Sequence, residues 1–375
     1  MKPLHLLVAP DKFKGSLSAD AATRAMERGA KRACPDAIID ACPLSDGGEG
    51  IATVLVAALG GTFREETVAG PLGEPVEACW AMLGDSTTAV VESAEAIGLS
   101  RVAEDERAPL ATTSYGVGEL VRAAVRAGAK RVLVGLGGTA TTDAGVGLAQ
   151  ALGVFLSGVG TPARARELAS IRRVELGARD PVLAGVELIA LCDVDNPLGG
   201  AEGAARVYGP QKGATETDIV ALEAGFGHLS ELMADAGHEP GDGAAGGLGY
   251  GLRVFAGARL VRGVEFVLDA VRFDVRLDAS DLVLTGEGRL DAQSARGKVV
   301  TGVARRCRER GVPAIALAGA IERGSALDAL GLAAANSLTD GGVQEAVAKE
   351  RAAELLEVLA EDVMRRFARG ASAEV

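Results

Sequence analysis

The chain has 375 residues and a net charge of −12, so it lacks the basic surface that general nucleic-acid binding requires. No apolar run approaches the roughly 18 residues of a membrane span. Hydrophobic residues make up 48% and aromatics only 3%, which points to a globular protein of two or three domains whose cores are built from Val, Leu, Ile and Ala.

Leu4 to Ala9 is a short apolar run that meets Pro10, Asp11, Lys12 and Lys14 at once. This reads as a first buried strand, and not as a secretory signal. Ser18 is a candidate N-cap for a helix from about Ala19 to Ala33. "AIIDACPL" is a second strand candidate, followed by "SDGGEG" and a helix near Ile51 to Leu59. Strand, polar loop and helix in repetition predict an α/β domain whose ligand edge lies at the strand C-termini.

From about Gly61 the texture changes to short strand candidates separated by turns, which suggests antiparallel pairing. "SYGVGELVRAAVRAGA" then reads as a helix, "KRVLVGL" as a strand and "GGTATTDAGVGLAQALG" as a glycine turn entering a helix. "VELIALCDVDNPLGG" is a strand ending in a polar loop, and Glu216 to Ala236 is helix-compatible. The strand–helix rhythm returns near Asp281 with "DLVLTGEG", "GKVVTGVARRCRERG" and "VPAIALAG", and the chain closes on a helix from about Val343 to Ala368. The two ends therefore resemble each other more than either resembles the middle. The expected fold is α/β: a discontinuous Rossmann-like parallel-sheet domain from residues 1–70 and 271–375, with a second, mixed α/β domain, 71–270, inserted. The active site is expected in the cleft between them. A single large α/β unit with an excursion is the alternative.

Seven loops carry the candidate chemistry. In "APDKFKGS", Lys12 and Lys14 beside Asp11 can hold a carboxylate or phosphate through charge-assisted bonds; the alternative is a polar loop that merely ends a strand. In "LSDGGEG", Asp46 can accept a hydroxyl hydrogen bond or hold a metal through water, while Glu49 suits either a site or the first turn of a helix. In "GLGGTATTDAGVG", Gly137, Gly138, Thr139 and Thr141 can present N–H and O–H donors to phosphates; alternatively Asp143 caps a structural turn. This is neither a dinucleotide fingerprint nor a Walker A loop, and Gly297-Lys298 is followed by Val299, which fails the latter's last position.

In "CDVDNPLGG", Asp193, Asp195 and Asn196 offer hard oxygen ligands suited to Mg²⁺, or one carboxylate that takes a hydroxyl proton. A plain turn before Pro197 is the competing reading. "YGPQKGA" supplies Gln211 and Lys212, and "GAAGGLG" a further glycine turn; each is weak alone. In "LTGEGRLDAQSARGK", Glu287 and Asp291 can serve a metal or substrate hydroxyls, Gln293 is a polar neighbour and Lys298 can neutralise phosphate at a helix start. Together, strands ending in carboxylates, lysines and glycines fit phosphoryl transfer, which needs positioning, positive charge and Mg²⁺ more than a nucleophilic triad. There is no G-x-S-x-G, and three histidines and five cysteines without CxxC give no zinc spacing. Reduced thiols and a cytoplasmic location are the expectation.

Taken in order over nearly the full length, "APDKFKGSLSA", "PLSDGGEG", "TTSYGVGELV", "LGGTATTDAGVG", "CDVDNPLGG", "YGPQKGA", "GAAGGLGYGL" and "LTGEGRLDAQSARGK" resemble the bacterial glycerate kinase family of the glycerate 2-kinase type. The resemblance implies transfer of the ATP γ-phosphoryl group to D-glycerate with Mg²⁺. It further implies 2-phosphoglycerate as the product, with 3-phosphoglycerate as the alternative, and a split Rossmann-like domain with an insert. Asp193 would orient or deprotonate the glycerate hydroxyl, or hold Mg²⁺ with Asp195 and Glu287. Lys12, Lys14, Lys212 and Lys298 would clamp carboxylate or phosphate, with Asp46 and Asp291 as further acidic candidates. Some family members carry Asn where Thr142 stands here. A monomer or homodimer acting on a small molecule is expected, and a non-catalytic sugar-acid or nucleotide-binding regulator is the alternative class.

Overall fold

The computed structural model describes residues 3–291, 298–322, 324 and 329–370. Gln293 therefore lies outside the described residues, with the rest of 292–297. In chain order the strands are β1 (His5–Pro10), β2 (Ile38–Ala41), β3 (Gly61–Ala69), β4 (Pro75–Leu83), β5 (Thr88–Glu92), β6 (Arg131–Gly135), β7 (Phe155–Ser157), β8 (Arg173–Glu175), β9 (Glu187–Leu191), β10 (Arg259–Val261), β11 (Leu282–Leu290), β12 (Ala314–Ile321) and β13 (Ala334–Ser337). The chain divides into two compact units, Met1–Asp46 with Val264–Val375, and Gly47–Gly263.

The first unit holds a five-stranded sheet in the order β13-β12-β11-β1-β2, with every pair parallel. Leu6, Leu7, Val8 and Ala9 of β1 are all buried, as a strand covered on both faces requires. Ile315 and Leu317 of β12 join one core cluster, while Ala316 and Ala318 join another, so successive residues face opposite layers. Helix Ala19–Ala33 begins at Ser18, whose Oγ accepts from Ala21 N–H, and it buries Ala22, Ala25, Met26 and Ala30 at helical spacing. It packs against helix Ala352–Ala368 at Gly29, where a Cβ would stand 2.1 Å from Glu357 O. Helix Val299–Arg310 contributes Val300 and Ala304 to the other layer. The chain leaves β1 for β2 on one side and returns to β11 on the other. The strand order therefore switches between β1 and β11, where open α/β sheets bind ligands at their C-terminal ends.

The second unit holds a six-stranded sheet in the order β10-β9-β6-β5-β4-β3. Its β3, β4 and β5 form an antiparallel meander, and β5, β6, β9 and β10 are parallel, which makes the sheet mixed. Helix Tyr115–Arg126 lays Val117, Leu120, Val121 and Ala124 against Trp80, Val91 and Val132. A second cluster gathers round helix Glu216–Met233. Both breaks between units fall earlier than the change of sequence texture suggests. Helix Ile51–Leu59 packs on β4 and β5 and so belongs with the middle of the chain, while Val264 of helix Gly263–Ala270 abuts Gly302 in the first unit. Among the described residues no helix is long and apolar enough to cross a membrane.

Candidate functional site

In the first unit, the switch between β1 and β11 collects charge. Asp11 follows β1; its N–H donates to Gly286 O at 2.8 Å, and its buried carboxylate accepts from Lys12 N–H at 2.7 Å. Lys12 Nζ lies 3.1 Å from Asp46 Oδ1 and 3.9 Å from Asp11 Oδ1. Glu287 stands near the end of β11, also buried, with Lys298 Nζ 3.6 Å from its Oε2. Burial pushes the Asp11 carboxyl well above the usual carboxylate range; Asp46 and, more weakly, Glu287 add to this, and Lys12 opposes it. Asp11, Lys12, Asp46, Glu287 and Lys298 are thus brought together. Lys14 is exposed on the turn beyond them, and Asp291 lies beside Arg289, which pairs with Glu345.

In the second unit, the glycine-rich turn after β6 is held from several sides. Thr139, Thr141, Thr142 and Asp143 are all buried. Asp143 Oδ2 accepts from Ser114 N–H (2.7 Å), Ser114 Oγ (2.8 Å) and Gly147 N–H (3.1 Å), and Oδ1 accepts from Gly145 N–H (3.2 Å). It caps the turn, and burial still raises its pKa against these bonds. Thr142 Oγ1 donates to Pro109 O at 3.0 Å. Lys212, on the short turn Pro210–Lys212, is buried; its Nζ donates to Thr141 O at 2.6 Å and Thr139 Oγ1 at 3.3 Å. Burial pushes this ammonium down to about 7, with Asp143 acting in the opposite sense. Thr141 Oγ1 is buried and has no hydrogen-bond partner among the described residues.

Behind the turn, Ala245, Gly246 and Gly247 take φ of 53°, 73° and 86°. A Cβ on Gly246 would stand 1.9 Å from Thr141 O and 2.9 Å from Lys212 Nζ. The two motifs that are weak alone, "YGPQKGA" and "GAAGGLG", therefore meet at the glycine-rich turn. Gln211 contributes its backbone instead: its side chain is on an exposed residue, and its carbonyl accepts from Arg107 Nη1 at 3.1 Å.

Loop Gly47–Gly50 lies against the same turn. Gly48 Cα is 3.4 Å from where a Gly137 Cβ would stand, and Glu49 Oε2 is 3.7 Å from that of Gly138. Glu49 itself is exposed. A residue absent from the motifs anchors this loop: Glu92, the last residue of β5, is buried and accepts from Gly50 N–H and Ala52 N–H, both at 2.8 Å. Burial raises its pKa, and the two bonds oppose the rise. The available signal was a carboxylate closing the apolar strand "TAVVE", at the sheet edge where the glycine-rich turn also starts.

The loop after β9 sorts its three candidates. Both oxygens of Asp195 are taken by Arg262 Nη2, at 2.5 and 2.7 Å, and Arg262 also donates to Asp193 O at 3.1 Å. Asn196 donates from Nδ2 to Glu202 O at 2.7 Å and accepts from Tyr208 OH at 2.6 Å. Asp195 and Asn196 hold the loop's shape, and Asp193 sits half-buried at its head. No three His, Cys, Asp or Glu side chains converge as a ready metal cage among the described residues. Mg²⁺ needs none, since one or two carboxylates plus phosphate oxygens suffice. Asp46 and, more weakly, Glu287 repel the buried Asp11 carboxylate, and a cation on these hard oxygens would relieve that repulsion.

Comparison with known proteins matches residues 6–368 to the model of the glycerate kinase family. The glycerate kinase of Bacillus subtilis (strain 168) is 44% identical over 369 residues, 96% of this chain and 97% of that protein. The protein of Escherichia coli (strain K12) named glycerate 2-kinase is 41% identical over 326 residues, 85% of this chain and 86% of that one. A crystal structure assigned as glycerate kinase 2 from Salmonella typhimurium LT2 has a TM-score of 0.83 at 37% identity, covering 98% of this chain and 99% of that chain.

Proposed function

The chain belongs to the glycerate kinase family, and we propose that it transfers the γ-phosphoryl group of ATP to D-glycerate, giving 2-phosphoglycerate and ADP. The oxygen of the glycerate hydroxyl forms the new P–O bond, the bond to the ADP oxygen breaks, and the hydroxyl proton passes to the Asp193 carboxylate. The observation that carries this reading is the set of paired lysines and acids at the strand-order switch: Lys12 with Asp46, and Lys298 with Glu287, round the buried Asp11. Such pairs hold ammonium groups ready for an incoming carboxylate or phosphate without a Walker A lysine.

Glu287 with Asp11 or Asp46 would hold Mg²⁺, which would supply positive charge to offset that of the phosphates. Thr139 and Thr141, with the backbone of Gly137 and Gly138, serve as phosphate donors; the unpartnered Thr141 hydroxyl supports this role. Lys212 supports them from behind through Thr141 O. Asp195 could take a metal only after giving up Arg262, which favours Asp193 as the reacting carboxylate of its loop.

The test is ADP formation by the purified chain with ATP and Mg²⁺, with and without D-glycerate. Phosphorus–carbon coupling in the NMR spectrum of the product identifies the carbon that carries the phosphate. Glycerate-dependent ADP with phosphate on carbon 2 supports the proposal. Phosphate on carbon 3 changes the product, and tight glycerate or nucleotide binding without turnover replaces the kinase with a binding regulator.

A further inference from the structure

We infer that Glu92 is a positioning residue for the reaction: it locks loop Gly47–Gly50, and with it Glu49, into the place from which the loop meets the acid substrate. The inference rests on the kinase reading for its kinetic consequence, though not for its geometry. Helix Ile51–Leu59 has no cap of its own: Gly50 occupies the N-cap at φ 93° with no side-chain hydrogen bond, and the first turn carries no acid. Glu92 supplies both functions from another element. Oε2 accepts from Gly50 N–H and Oε1 from Ala52 N–H, each at 2.8 Å, and its charge faces the positive end of the helix.

The loop so pinned has little room to move. A Cβ on Gly135 would stand 2.7 Å from Gly47 O, and one on Gly137 would stand 3.4 Å from Gly48 Cα, so glycine backbone abuts glycine backbone. A carboxylate buried to 7% exposure, its pKa raised by that burial and less by nearby acids, costs stability unless it is bonded. This one spends both oxygens on the amides that set the loop. Glu49, between those pinned points, is exposed and its carboxylate lies near Gly138 of the glycine-rich turn.

Glu92→Gln keeps the shape and leaves one acceptor for two N–H groups. It is expected to raise KM for glycerate and lower kcat/KM about tenfold, within the range for a displaced substrate contact. KM for ATP should stay within about twofold, whereas a loss of folded enzyme would lower apparent kcat and leave both KM values alone. Adding Glu49→Gln should cost no more than the larger single change, because the two act through one loop. Backbone amide exchange at Gly50 and Ala52 should speed up in the variant. An unchanged KM for glycerate, or simple additivity with Glu49→Gln, overturns the inference. If the wild-type chain shows no glycerate-dependent turnover, the kinase reading fails by itself, and exchange at Gly50 and Ala52 still decides whether Glu92 pins the loop. Should Glu92→Gln not fold, Glu92→Asp takes its place; failure of both to fold makes Glu92 structural and overturns the inference.

Discussion

Replacing Lys212 with methionine should separate stability from activity, with a pH dependence that carries the sign. Methionine fills a similar volume without the charge. In the folded chain the Lys212 ammonium is pushed down to about 7 from an ordinary 10.5. Below pH 7 the amine is charged both folded and unfolded, and the whole cost of burying it is present. Above pH 7 the folded chain loses this proton while the unfolded chain keeps it until about pH 10.5, so wild-type stability rises with pH across that window. At ~1.4 kcal/mol per pH unit, the wild type should gain on the order of 3 kcal/mol relative to the variant between pH 6 and pH 9. Against this, the variant loses the bonds to Thr141 O and Thr139 Oγ1 at every pH, at a cost of about 1–3 kcal/mol. The variant is therefore the less stable protein at pH 9 and approaches or passes the wild type at pH 6. Urea unfolding at several pH values reads this through Trp80, the chain's single tryptophan, buried in the same unit as Lys212. Turnover should fall at least tenfold throughout, as when a phosphate-site donor is displaced. Parallel stability curves for the two proteins would refute the buried, weakened ammonium.

Four further outcomes are expected. Asp193→Asn should lower turnover at least tenfold with folding intact by circular dichroism, a floor below the roughly 10²–10⁴-fold typical of a lost general base; near-normal turnover removes Asp193 from the chemistry. Asp11→Asn should be more stable than wild type at pH 7 in thermal melts, because the raised Asp11 pKa makes the folded chain lose stability as pH rises above the ordinary carboxylate value. The gap should close toward that value, and the increment in Tm from Mg²⁺ with ADP should shrink in the variant. Gly246→Ala should lose about 2 kcal/mol or more in urea unfolding, since φ is 73° and the new Cβ meets Thr141 O. Gly227→Ala, in helix Glu216–Met233 with open space around it, should instead gain about 0.5–1 kcal/mol.

What could be read from the chain was whatever is written locally. An apolar run that breaks into Asp, Lys and Gly marks a strand end, so the loops after β1, β6, β9 and β11 stood out, and the parallel order of the split sheet followed from their rhythm. Helix Ile51–Leu59 was legible as a helix and not in its allegiance, because the strands it packs on lie further along the chain. Residue type was a poorer guide than position. Lys212 read as a carboxylate or phosphate clamp with nothing to mark it as buried, since lysine rarely is, and only the Gly246 turn, more than thirty residues on, explains how it fits under the glycine-rich turn.

The same distance hides function in the acids. Asp193 and Asp195 are two residues apart and chemically alike, and Arg262 separates them by committing both oxygens of one. Glu92 is the sharper case, since the amides it serves are 42 and 40 residues away and nothing in its own neighbourhood is glycine-rich or basic. A carboxylate that ends a buried strand must find donors or stay protonated. At a sheet edge already lined with glycine loops, the nearest donors are the backbone N–H groups of those loops. Acids closing the strands beside a glycine-rich turn are thus candidates for holding it, even when no motif contains them.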